Sequence, residues 1–387
     1  MHISDSVLYI GVDDKTLDLF ESQYRIPNGV SYNSYVILDE KVAVMDTVDA
    51  RATDGWMEKL DGALSGRKPD YLIVSHMEPD HAANVARFAV AYPEAQIVGN
   101  AKTFGMIGQF FNLDLTDRKV VVKEGDTLEL GQHTLQFFMA PMVHWPEVMV
   151  TYEHSEKILF SADGFGKFGA LDVEEPWEEE AARYYLNIVG KYGVQVQALL
   201  KKAAGLDIQM ICPLHGPVLK ENLAHYMGLY QTWSTYKPEE KGVLVAYASI
   251  HGNTAQAAKK LGELLAARGV RAEVIDLSRT DMSLAVRKAF YYDRMVVAAA
   301  TYDGGVFPCM EEFLQHLKSK NYQKRTVGIM ENGSWAPLSG KVMRGMLETM
   351  KEIVITEPMV TIRSAVHADT LEAMNQLADA MMEGDKE

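Results

Sequence analysis

The stretch "YLIVSHMEPDHAANVARF", residues 71–88, joins an apolar run to a group of residues whose types commonly bind metal ions in proteins. His76, Glu78, Asp80 and His81 follow the apolar run within six positions. Residues two apart in an extended chain point to the same side, so the first three side chains can converge. His81 can reach the same point from the first turn of the helix that follows. The spacing therefore predicts a metal site at the end of one strand.

Three later apolar runs each lead to one more residue of the same kind. "LQFFMAPMVHW" leads to His144, "KILFSADGF" to Asp163, and "IQMICPLHG" to His215, and each run is predicted to be a strand that ends at that residue. Seven nitrogen and oxygen ligands are too many for one tetrahedral zinc ion and suffice for two metal ions. Asp163 is the predicted bridge, because it arrives alone between the other ligands. Imidazole and carboxylate suit Fe, Mn or Zn, so residue types alone leave the metal open.

A small polar loop in the C-terminal part of the chain has the composition of a phosphate site. The apolar run "VLVAYA" leads directly into this loop, which precedes a predicted helix. A helix N-terminus presents backbone N–H groups and a positive dipole end to an anion. The loop matches neither the dinucleotide nor the ATP fingerprint, so a single phosphate, as in FMN, is predicted. The loop residues are Ser249, Ile250, His251, Gly252, Asn253 and Thr254.

Two further loops after apolar strands, "TYDGGVF" and "ENGSWAP", carry glycine and aromatic residues. In a flavodoxin-like sheet such loops lie at the same edge as the phosphate loop. Tyr302 and Trp335 are possible stacking surfaces for a flavin. A response-regulator-like domain would instead need an acidic cluster where Ala246 and Tyr247 stand. The predicted FMN contacts in these loops are Thr301, Tyr302, Asp303, Gly304, Gly305, Asn332, Gly333, Ser334 and Trp335.

Composition and charge narrow the class of protein. The 387 residues are 48% hydrophobic and 24% charged, which is typical of a globular chain. A net charge of −15 argues against a nucleic-acid partner. The only two cysteines, Cys212 and Cys309, lie in apolar surroundings and form no disulfide framework. No signal peptide or membrane span is visible, so we expect a cytoplasmic protein with no membrane association.

The rhythm of strands and helices predicts two domains. Up to about residue 236 the order is mixed, and "SYVILDE" and "VAVMDTV" form a predicted hairpin. Two sheets packed face to face with helices outside fit this order. The segment "KPEEKG", 237–242, breaks the pattern, so we predict domains over 1–238 and 239–387. The second alternates five apolar strands with helices, which predicts a doubly wound, five-stranded parallel sheet.

The His-x-x-x-Asp-His frame, with later His, Asp and His residues at strand ends, resembles the metallo-β-lactamase superfamily. That resemblance implies an α/β fold of the α+β kind, an αββα sandwich. The superfamily usually has a second histidine where this chain has Glu78, and then forms a dizinc hydrolase. Glu78 is instead the mark of the flavodiiron proteins, also called A-type flavoproteins. A carboxylate adds negative charge and a hard oxygen ligand, and both favour iron.

The second domain resembles flavodoxin, and "NGSWAP" looks like the isoalloxazine-contacting loop of the flavodiiron proteins. The resemblance covers essentially the whole chain and is to the minimal two-domain class, without a rubredoxin-like or reductase extension. It implies FMN and a non-haem diiron centre that reduces dioxygen to water or nitric oxide to nitrous oxide. One iron is then held by His76, Glu78 and His144, the other by Asp80, His81 and His215, with Asp163 between them.

The resemblance also implies partners and neighbouring residues. Rubredoxin or a reduced deazaflavin is the expected electron donor. A head-to-tail homodimer, or a dimer of dimers, is expected, because in the family the flavin of one subunit lies beside the metals of its partner. Tyr24, Tyr184 and Tyr185 are candidates to donate a hydrogen bond or proton near bound oxygen.

Two other functions stay open on the sequence. One is a dizinc hydrolase of metallo-β-lactamase fold with a tethered flavodoxin domain, against which Glu78 argues. The other is an electron-transfer protein whose first domain is a structural or binding module without metal, against which the complete ligand set argues. The sequence leaves open the choice between dioxygen and nitric oxide, the donor, and the choice between dimer and tetramer.

Overall fold

The computed structural model describes residues 2–382, which form two compact units. The first unit extends to Gln231 and the second begins at Thr232. The helix Leu223–Ser234 spans this change, and the predicted boundary between residues 238 and 239 lies in the turn that follows it. Among the described residues, no helix is long and apolar enough to cross a membrane.

Residues 2–234, which comprise the described part of the first unit and the helix that crosses its end, contain fifteen strands and seven α-helices. The strands are β1 (Val7–Tyr9), β2 (Val12–Asp14), β3 (Leu19–Phe20), β4 (Tyr24–Arg25), β5 (Val30–Tyr32), β6 (Tyr35–Ile37), β7 (Ala43–Met45), β8 (Tyr71–Ile73), β9 (Gln96–Gly99), β10 (Lys119–Val121), β11 (Thr127–Glu129), β12 (Thr134–Met139), β13 (Met149–Glu153), β14 (Ile158–Phe160) and β15 (Met210–Cys212). The helices are α1 (Thr53–Leu64), α2 (Pro79–Ala82), α3 (Val85–Ala91), α4 (Ala101–Phe110), α5 (Trp177–Tyr184), α6 (Gly193–Ala203) and α7 (Leu223–Ser234), with 3-10 turns at Ala50–Ala52 and Gly190–Tyr192 and a π-helix at Tyr185–Val189.

Two large sheets organise this unit. One has the order β1-β6-β7-β8-β9-β10 and the other β11-β12-β13-β14-β15. The predicted hairpin is present as antiparallel β6 and β7, whereas β7, β8, β9 and β10 run parallel. Two small antiparallel pairs, β2 with β5 and β3 with β4, lie outside the large sheets.

A shared hydrophobic core shows that the two sheets pack face to face. It contains Tyr35 and Ile73 from the first sheet together with Phe137 and Phe160 from the second. The rings of Tyr35 and Phe160 meet edge to face, with centroids 5.5 Å apart. Burial of these alternate residues is the main stabilising contribution, at about 25 cal/mol per Å² of apolar surface.

The ligand residues follow the strands after short turns and do not end the strands themselves. His76, Asp163 and His215 each come three residues after the last residue of β8, β14 and β15, and His144 comes five residues after β12. The predicted strands were therefore too long at these ends. Before two of the ligands the backbone turns left-handed, at Met142 with φ 65° and at Ala162 with φ 50°, and this ends the extended chain.

The second unit is a doubly wound sheet, as predicted. Its strands are β16 (Glu240–Ala248), β17 (Ala272–Asp276), β18 (Tyr292–Tyr302), β19 (Gly305–Val306), β20 (Arg325–Asn332), β21 (Ile353–Ile355) and β22 (Val360–Ile362). Its helices are α8 (Asn253–Ala267), α9 (Met282–Tyr291), α10 (Pro308–Ser319), α11 (Ser339–Leu347) and α12 (Ala368–Ala380).

The strands β17-β16-β18-β20-β21 lie in this order and are parallel, and β22 also pairs in parallel with β20. The short β19 pairs antiparallel with β18. The predicted fifth strand, "EPMVTI", is present as the short strand β22, and β21 before it is a further short strand that was not predicted. Pro358, which has no N–H to donate to the sheet, lies between the two. The carboxyl ends of β16, β18 and β20 meet at one edge, where the predicted flavin loops begin.

Candidate functional site

The loop that carries His215 is held by the segment between β5 and β6. The side-chain amide of Asn33 donates to the carbonyls of Pro213 and Gly216, both at 2.8 Å. His215 Nδ1 donates to the carbonyl of Ser31 at 2.7 Å, which turns Nε2 in the opposite direction. Because these groups are buried, each hydrogen bond fixes the loop in one conformation.

The segment from His76 to His81 is held by the end of β7. Asp46 Oδ1 accepts a hydrogen bond from the Ser75 amide at 2.6 Å. Thr47 donates through its amide and its hydroxyl to the carbonyl of His81, at 3.0 and 2.6 Å. The metal-ligand residues therefore lie on a segment whose backbone is fixed at both ends.

The predicted ligands form two clusters of side-chain donor atoms. In the first cluster, Glu78 Oε2 lies 3.2 Å from His76 Nε2 and 2.9 Å from His144 Nε2. The fourth member is Asp163, whose Oδ2 lies 3.3 and 3.2 Å from the same two nitrogens. One point in space is thus surrounded by two imidazoles and two carboxylates.

The second cluster contains Asp80, His81 and His215. The Nε2 atoms of the two histidines are 3.0 Å apart. Asp80 Oδ2 lies 3.2 Å from His215 Nε2 and 3.4 Å from His81 Nε2. These three residues come from α2 and from the loop after β15, so tertiary folding brings them together.

Asp163 lies between the clusters. Its Oδ2 faces His76 and His144, whereas its Oδ1 lies 3.3 Å from His81 Nε2 and 3.8 Å from His215 Nε2. A carboxylate that bridges two metal ions needs this division, with one oxygen directed to each ion.

The spacing of the donor atoms fits metal ions. Four ligands at metal distances of about 2.0–2.1 Å lie roughly 3.4 Å from one another. Both carboxylate oxygens of Asp80 and of Asp163 are buried without a hydrogen-bond donor. An unsatisfied buried carboxylate is costly, and cations between the clusters would satisfy all four oxygens.

The pKa values show that the clusters favour positive charge. Burial opposes a charge on His144, but the carboxylates of Asp163 and Glu78 outweigh it and raise the His144 pKa to about 9. The same balance, with Asp163 and Glu147 as partners, raises the His76 pKa well above its ordinary value. Burial alone would raise the pKa of Asp163, but the neighbouring imidazoles outweigh that effect and hold this pKa well below its usual range. Two bound cations would supply this positive charge directly.

The three predicted tyrosines have different surroundings. The Tyr184 ring lies 5.4 Å from that of His215, and burial together with the charge of Asp163 raises the Tyr184 pKa well above its ordinary value. Tyr24 donates to the carbonyl of Asn187 at 3.1 Å. Tyr185 packs against the ring of Tyr230 at 5.0 Å. Tyr184 thus packs against a ligand residue of the second cluster.

Glu147 is a residue of this site that the sequence did not indicate. Its side chain is fully buried, and Oε1 accepts hydrogen bonds from His76 Nδ1 and from the Met77 amide, both at 2.8 Å. It follows His144 by three residues in "HWPE". That proximity was the available signal, but a contact with His76, 71 residues away, depends on the fold.

A cavity of about 180 Å³ opens beside the two clusters. Glu78 and Asp80 form part of its wall, and Leu17, Leu19 and Phe20 form an apolar part. The size of the opening therefore suits a small molecule. The remaining lining residues are Glu21, Ser22, Tyr32, Asp49, Arg51 and Pro79.

The predicted flavin loops converge on one cavity of about 570 Å³ in the second unit. Predicted residues that line it are Ser249, Ile250, His251, Asn253, Thr254, Thr301, Tyr302, Asp303, Gly304, Asn332, Gly333, Ser334 and Trp335. Gly252 and Gly305 do not line it; Gly252 precedes α8 with φ 92°, and Gly305 begins β19. Lining residues that were not predicted are Ala300, Ala336, Leu338 and Ser364.

Asn332 connects three walls of this cavity. Its side-chain N–H groups donate to Thr254 Oγ1 at 3.3 Å and to the backbone carbonyl of Ser364 at 3.1 Å. Its side-chain oxygen Oδ1 accepts from the backbone N–H of Ser364 at 3.1 Å. Ser364 follows the last short strand, whose loop reaches the same edge of the sheet. That loop has no glycine or aromatic residue to mark it in the sequence.

Comparisons with known proteins divide the chain in the same way. Residues 30–216 match the "ODP family beta lactamase" model, and residues 244–352 match a "Flavodoxin domain" model. The rubredoxin-oxygen oxidoreductase of Megalodesulfovibrio gigas is 27% identical over 95% of this chain and 94% of its own length. The nitric oxide reductase of Moorella thermoacetica is 26% identical over 97% of this chain and 96% of its own length.

Solved structures agree with these relatives. Rubredoxin oxygen:oxidoreductase from Desulfovibrio gigas superposes with a TM-score of 0.93 at 26% identity, covering 99% of this chain and 98% of its own. A diflavin flavoprotein from Thermosynechococcus vestitus is 32% identical over 67% of this chain, but the match spans about half of that relative, 47%. The chain thus joins a β-lactamase-like domain to a flavodoxin domain. It belongs to the flavodiiron proteins.

The contacts of Asn33 predict how far the first unit depends on the His215 loop. Replacing Asn33 with Leu keeps the size but removes one donor from each of the two buried carbonyls. The Pro213 carbonyl keeps the Tyr35 hydroxyl at 2.7 Å, whereas the Gly216 carbonyl loses its side-chain donor. We expect the free energy of unfolding of the metal-free protein in urea to fall by about 2 kcal/mol.

Tyr9→Phe is the graded control for this variant, because it removes the one hydrogen bond that the Tyr9 hydroxyl donates to Asn33 Oδ1, at 3.0 Å, and leaves both amide donors of Asn33 in place. We expect it to cost about 1 kcal/mol. A loss for Asn33→Leu no larger than that for Tyr9→Phe would contradict the assigned role of Asn33.

Proposed function

We propose that the protein is a flavodiiron oxidoreductase that reduces dioxygen to water, nitric oxide to nitrous oxide, or both. The observation that carries the proposal is Glu78, an anionic ligand where dizinc hydrolases of this fold have a neutral histidine. It completes a set of seven nitrogen and oxygen ligands in a chain that also contains a flavin-sized cavity. The relatives named for oxygen and nitric oxide reduction support this function.

The assigned metal ligands are His76, Glu78 and His144 for one iron, Asp80, His81 and His215 for the other, and Asp163 for both. When bound, two ferrous ions supply two electrons and Lewis acidity, and reduced FMN supplies two more electrons. Dioxygen needs four electrons and four protons to give two waters. Two nitric oxide molecules need two electrons and two protons to give nitrous oxide and one water.

Three features of the protein itself would contribute to this reaction: fixed charge beside the metals, the wall of the cavity and a hydrogen-bond donor. Glu78 and Asp163 place fixed negative charge beside both metal positions. The cavity that Leu19 and Phe20 line together with Glu78 and Asp80 would admit a small gas molecule to the ligands. Tyr184, whose pKa is raised by burial and by neighbouring carboxylates, keeps its hydroxyl proton and can donate a hydrogen bond.

FMN is the proposed occupant of the cavity in the second unit. Ser249, Asn253 and Thr254 at the start of α8 would bind its phosphate through hydroxyls and backbone N–H groups. Tyr302 and Trp335 offer flat apolar surfaces to the isoalloxazine ring.

The electron donor and the location are also proposals. A small redox protein of the rubredoxin type is the proposed donor, with a reduced deazaflavin as the other source, and the name of the Megalodesulfovibrio gigas relative supports the first. We keep the cytoplasmic location proposed from the sequence.

An exposed apolar rim supports the proposed head-to-tail homodimer or dimer of dimers. Ile250, Tyr302, Trp335 and Leu338 all line the flavin cavity and are 41%, 44%, 91% and 40% exposed. Apolar groups gathered at one opening mark a surface that another surface covers. A partner subunit that brings its metal centre to this opening would cover them.

A charge on this rim tests the dimer. We expect Leu338→Glu to weaken self-association by about tenfold or more, because it places a charge in an apolar interface. Sedimentation velocity over a range of concentrations measures this. Val354→Glu, at an exposed position that does not line the cavity, is the matched control. Equal dissociation of both variants, or of neither, would contradict the assigned surface.

The contacts of Asn332 give a prediction for the flavin. Asn332→Ala removes the hydrogen bonds that connect the cavity walls, so we expect FMN to bind about tenfold more weakly to the flavin-free protein. Quenching of flavin fluorescence measures the affinity. Asn375→Ala is the control, because Asn375 lies in α12 outside the cavity lining and bonds to Leu371 and Arg268. The same loss in both variants would argue against this cavity as the flavin site.

The central experiment is anaerobic reduction of protein whose iron and FMN have been quantified, followed by addition of each gas. We expect at least one gas to reoxidise the protein, with about four electrons consumed per dioxygen or one per nitric oxide, measured with gas electrodes. Reoxidation by neither gas would refute the proposed function.

Glu78→His tests the metal side of the same proposal. We expect it to bind zinc in preference to iron and to reduce gas about a hundredfold more slowly, with the flavin still reducible. Glu129→His, at an exposed strand position, is the control and should keep the native iron content. Zinc in the native protein would instead favour the hydrolase function.

A further inference from the structure

The two halves of the metal centre differ in the groups that accept a hydrogen bond from the second ring nitrogen of their histidines. In a metal site, the second ring nitrogen of a histidine ligand donates to a neighbouring group, and that group sets the orientation and basicity of the ring. The first half contains His76, Glu78 and His144, and the second half contains Asp80, His81 and His215.

In the first half, a carboxylate accepts a hydrogen bond from the second ring nitrogen of His76. His76 Nδ1 donates to Glu147 Oε1 at 2.8 Å, and both side chains are fully buried. The backbone N–H of Met77 donates to the same oxygen at 2.8 Å. The backbone carbonyl of Glu147 accepts from the side-chain amide of Asn100 at 2.5 Å. Glu147 is therefore fixed at its backbone and at its carboxylate, and it fixes His76 with Nε2 directed at the metal position.

Among the described residues, no carboxylate accepts a hydrogen bond from the second ring nitrogen of His81 or His215, although the buried carboxylate of Asp46 lies near enough to His81 for their charges to interact. His215 Nδ1 donates to a neutral carbonyl, that of Ser31, at 2.7 Å. His81 Nδ1 is buried and has no hydrogen-bond partner. Both rings are held by packing and by their backbone, and neither receives negative charge through its second nitrogen.

This difference has a direct effect on metal binding. A carboxylate that accepts from Nδ1 increases electron density at Nε2 and strengthens its bond to a cation. The first half also has Glu78 and the nearer pair of contacts to Asp163, which add anionic oxygen ligands. The second half has one carboxylate of its own, Asp80.

We propose that Glu147 is a positioning residue that makes the two metal positions unequal, so that the position of His76, Glu78 and His144 fills first and empties last. The inference rests on the proposed diiron function, since it requires that both positions bind iron. The second position, held by Asp80, His81 and His215, is the one from which iron is lost when supply is limiting.

The order of filling can be measured by isotope. Metal-free protein receives one equivalent of ⁵⁷Fe(II) and then one of ⁵⁶Fe(II) under anaerobic conditions, and a second sample receives them in reverse order. Only ⁵⁷Fe gives a Mössbauer signal, so we expect one quadrupole doublet from the first sample and a different one from the second. The same mixture of doublets in both samples would overturn the proposal.

Glu147→Gln tests the assigned cause. The amide keeps the shape but removes the charge, so we expect affinity at the first position to fall about 10- to 100-fold in a chelator competition. Affinity at the second position should stay within about threefold of native, and the two loading orders should then give similar spectra. Glu147→Asp, which restores the charge on a shorter side chain, should recover part of the preference.

The chain contains a matched control in Glu153. This residue is also fully buried, and it accepts from His133 Nδ1 at 2.9 Å and from the Ser155 amide at 2.7 Å. It belongs to neither metal cluster. Glu153→Gln removes the same kind of interaction and should lower stability without changing either iron affinity. Equal effects of the two variants on iron binding would show that Glu147 is only structural.

The outcomes separate this inference from the proposed function. Failure of the native protein to bind two iron ions would defeat both. Two iron ions bound with equal affinity, or an unchanged preference in Glu147→Gln, would defeat the inference and leave the gas-reduction proposal standing.

Discussion

The first unit depends on how it accommodates a buried cluster of carboxylates. Asp80 and Asp163 bury four carboxylate oxygens whose near neighbours are the ring nitrogens of the ligand histidines, and Glu78 adds another anionic group. Burial of such charges is prohibitive unless positive charge is brought to them. In the metal-free protein the imidazoles take that role, which explains the raised pKa values of His76 and His144. The loops, the strand ends and the fixed ring orientations all serve to hold opposite charges at short distance.

Much of the fold could be predicted, because the signals are local. Apolar runs of four to eight residues marked the strands, and their alternation with helices marked the doubly wound sheet. The ligand types were visible for the same reason, since His76 to His81 lie within six positions. The strand ends were misjudged by three to five residues, because left-handed turns at Met142 and Ala162 leave no clear trace in residue type.

The supporting residues could not be predicted, because they act across long separations in the chain. Glu147 meets His76 at a separation of 71 residues, and Ser31 meets His215 at 184. In the second unit, Ser364 joins the flavin cavity from a loop without a recognisable motif. A residue type shows what a side chain can bind, whereas its partner is determined only when the sheets have formed.

The pairing of β14 with β15 has a consequence for folding fidelity. Phe160 and Cys212 are partners in a parallel ladder, and each stands three residues before a ligand. A slip of one residue would displace one ligand by about 3.3 Å and reverse the faces of the whole strand. That displacement is as large as the spacing between donor atoms in the site. Tight metal binding therefore requires the correct register of these two strands.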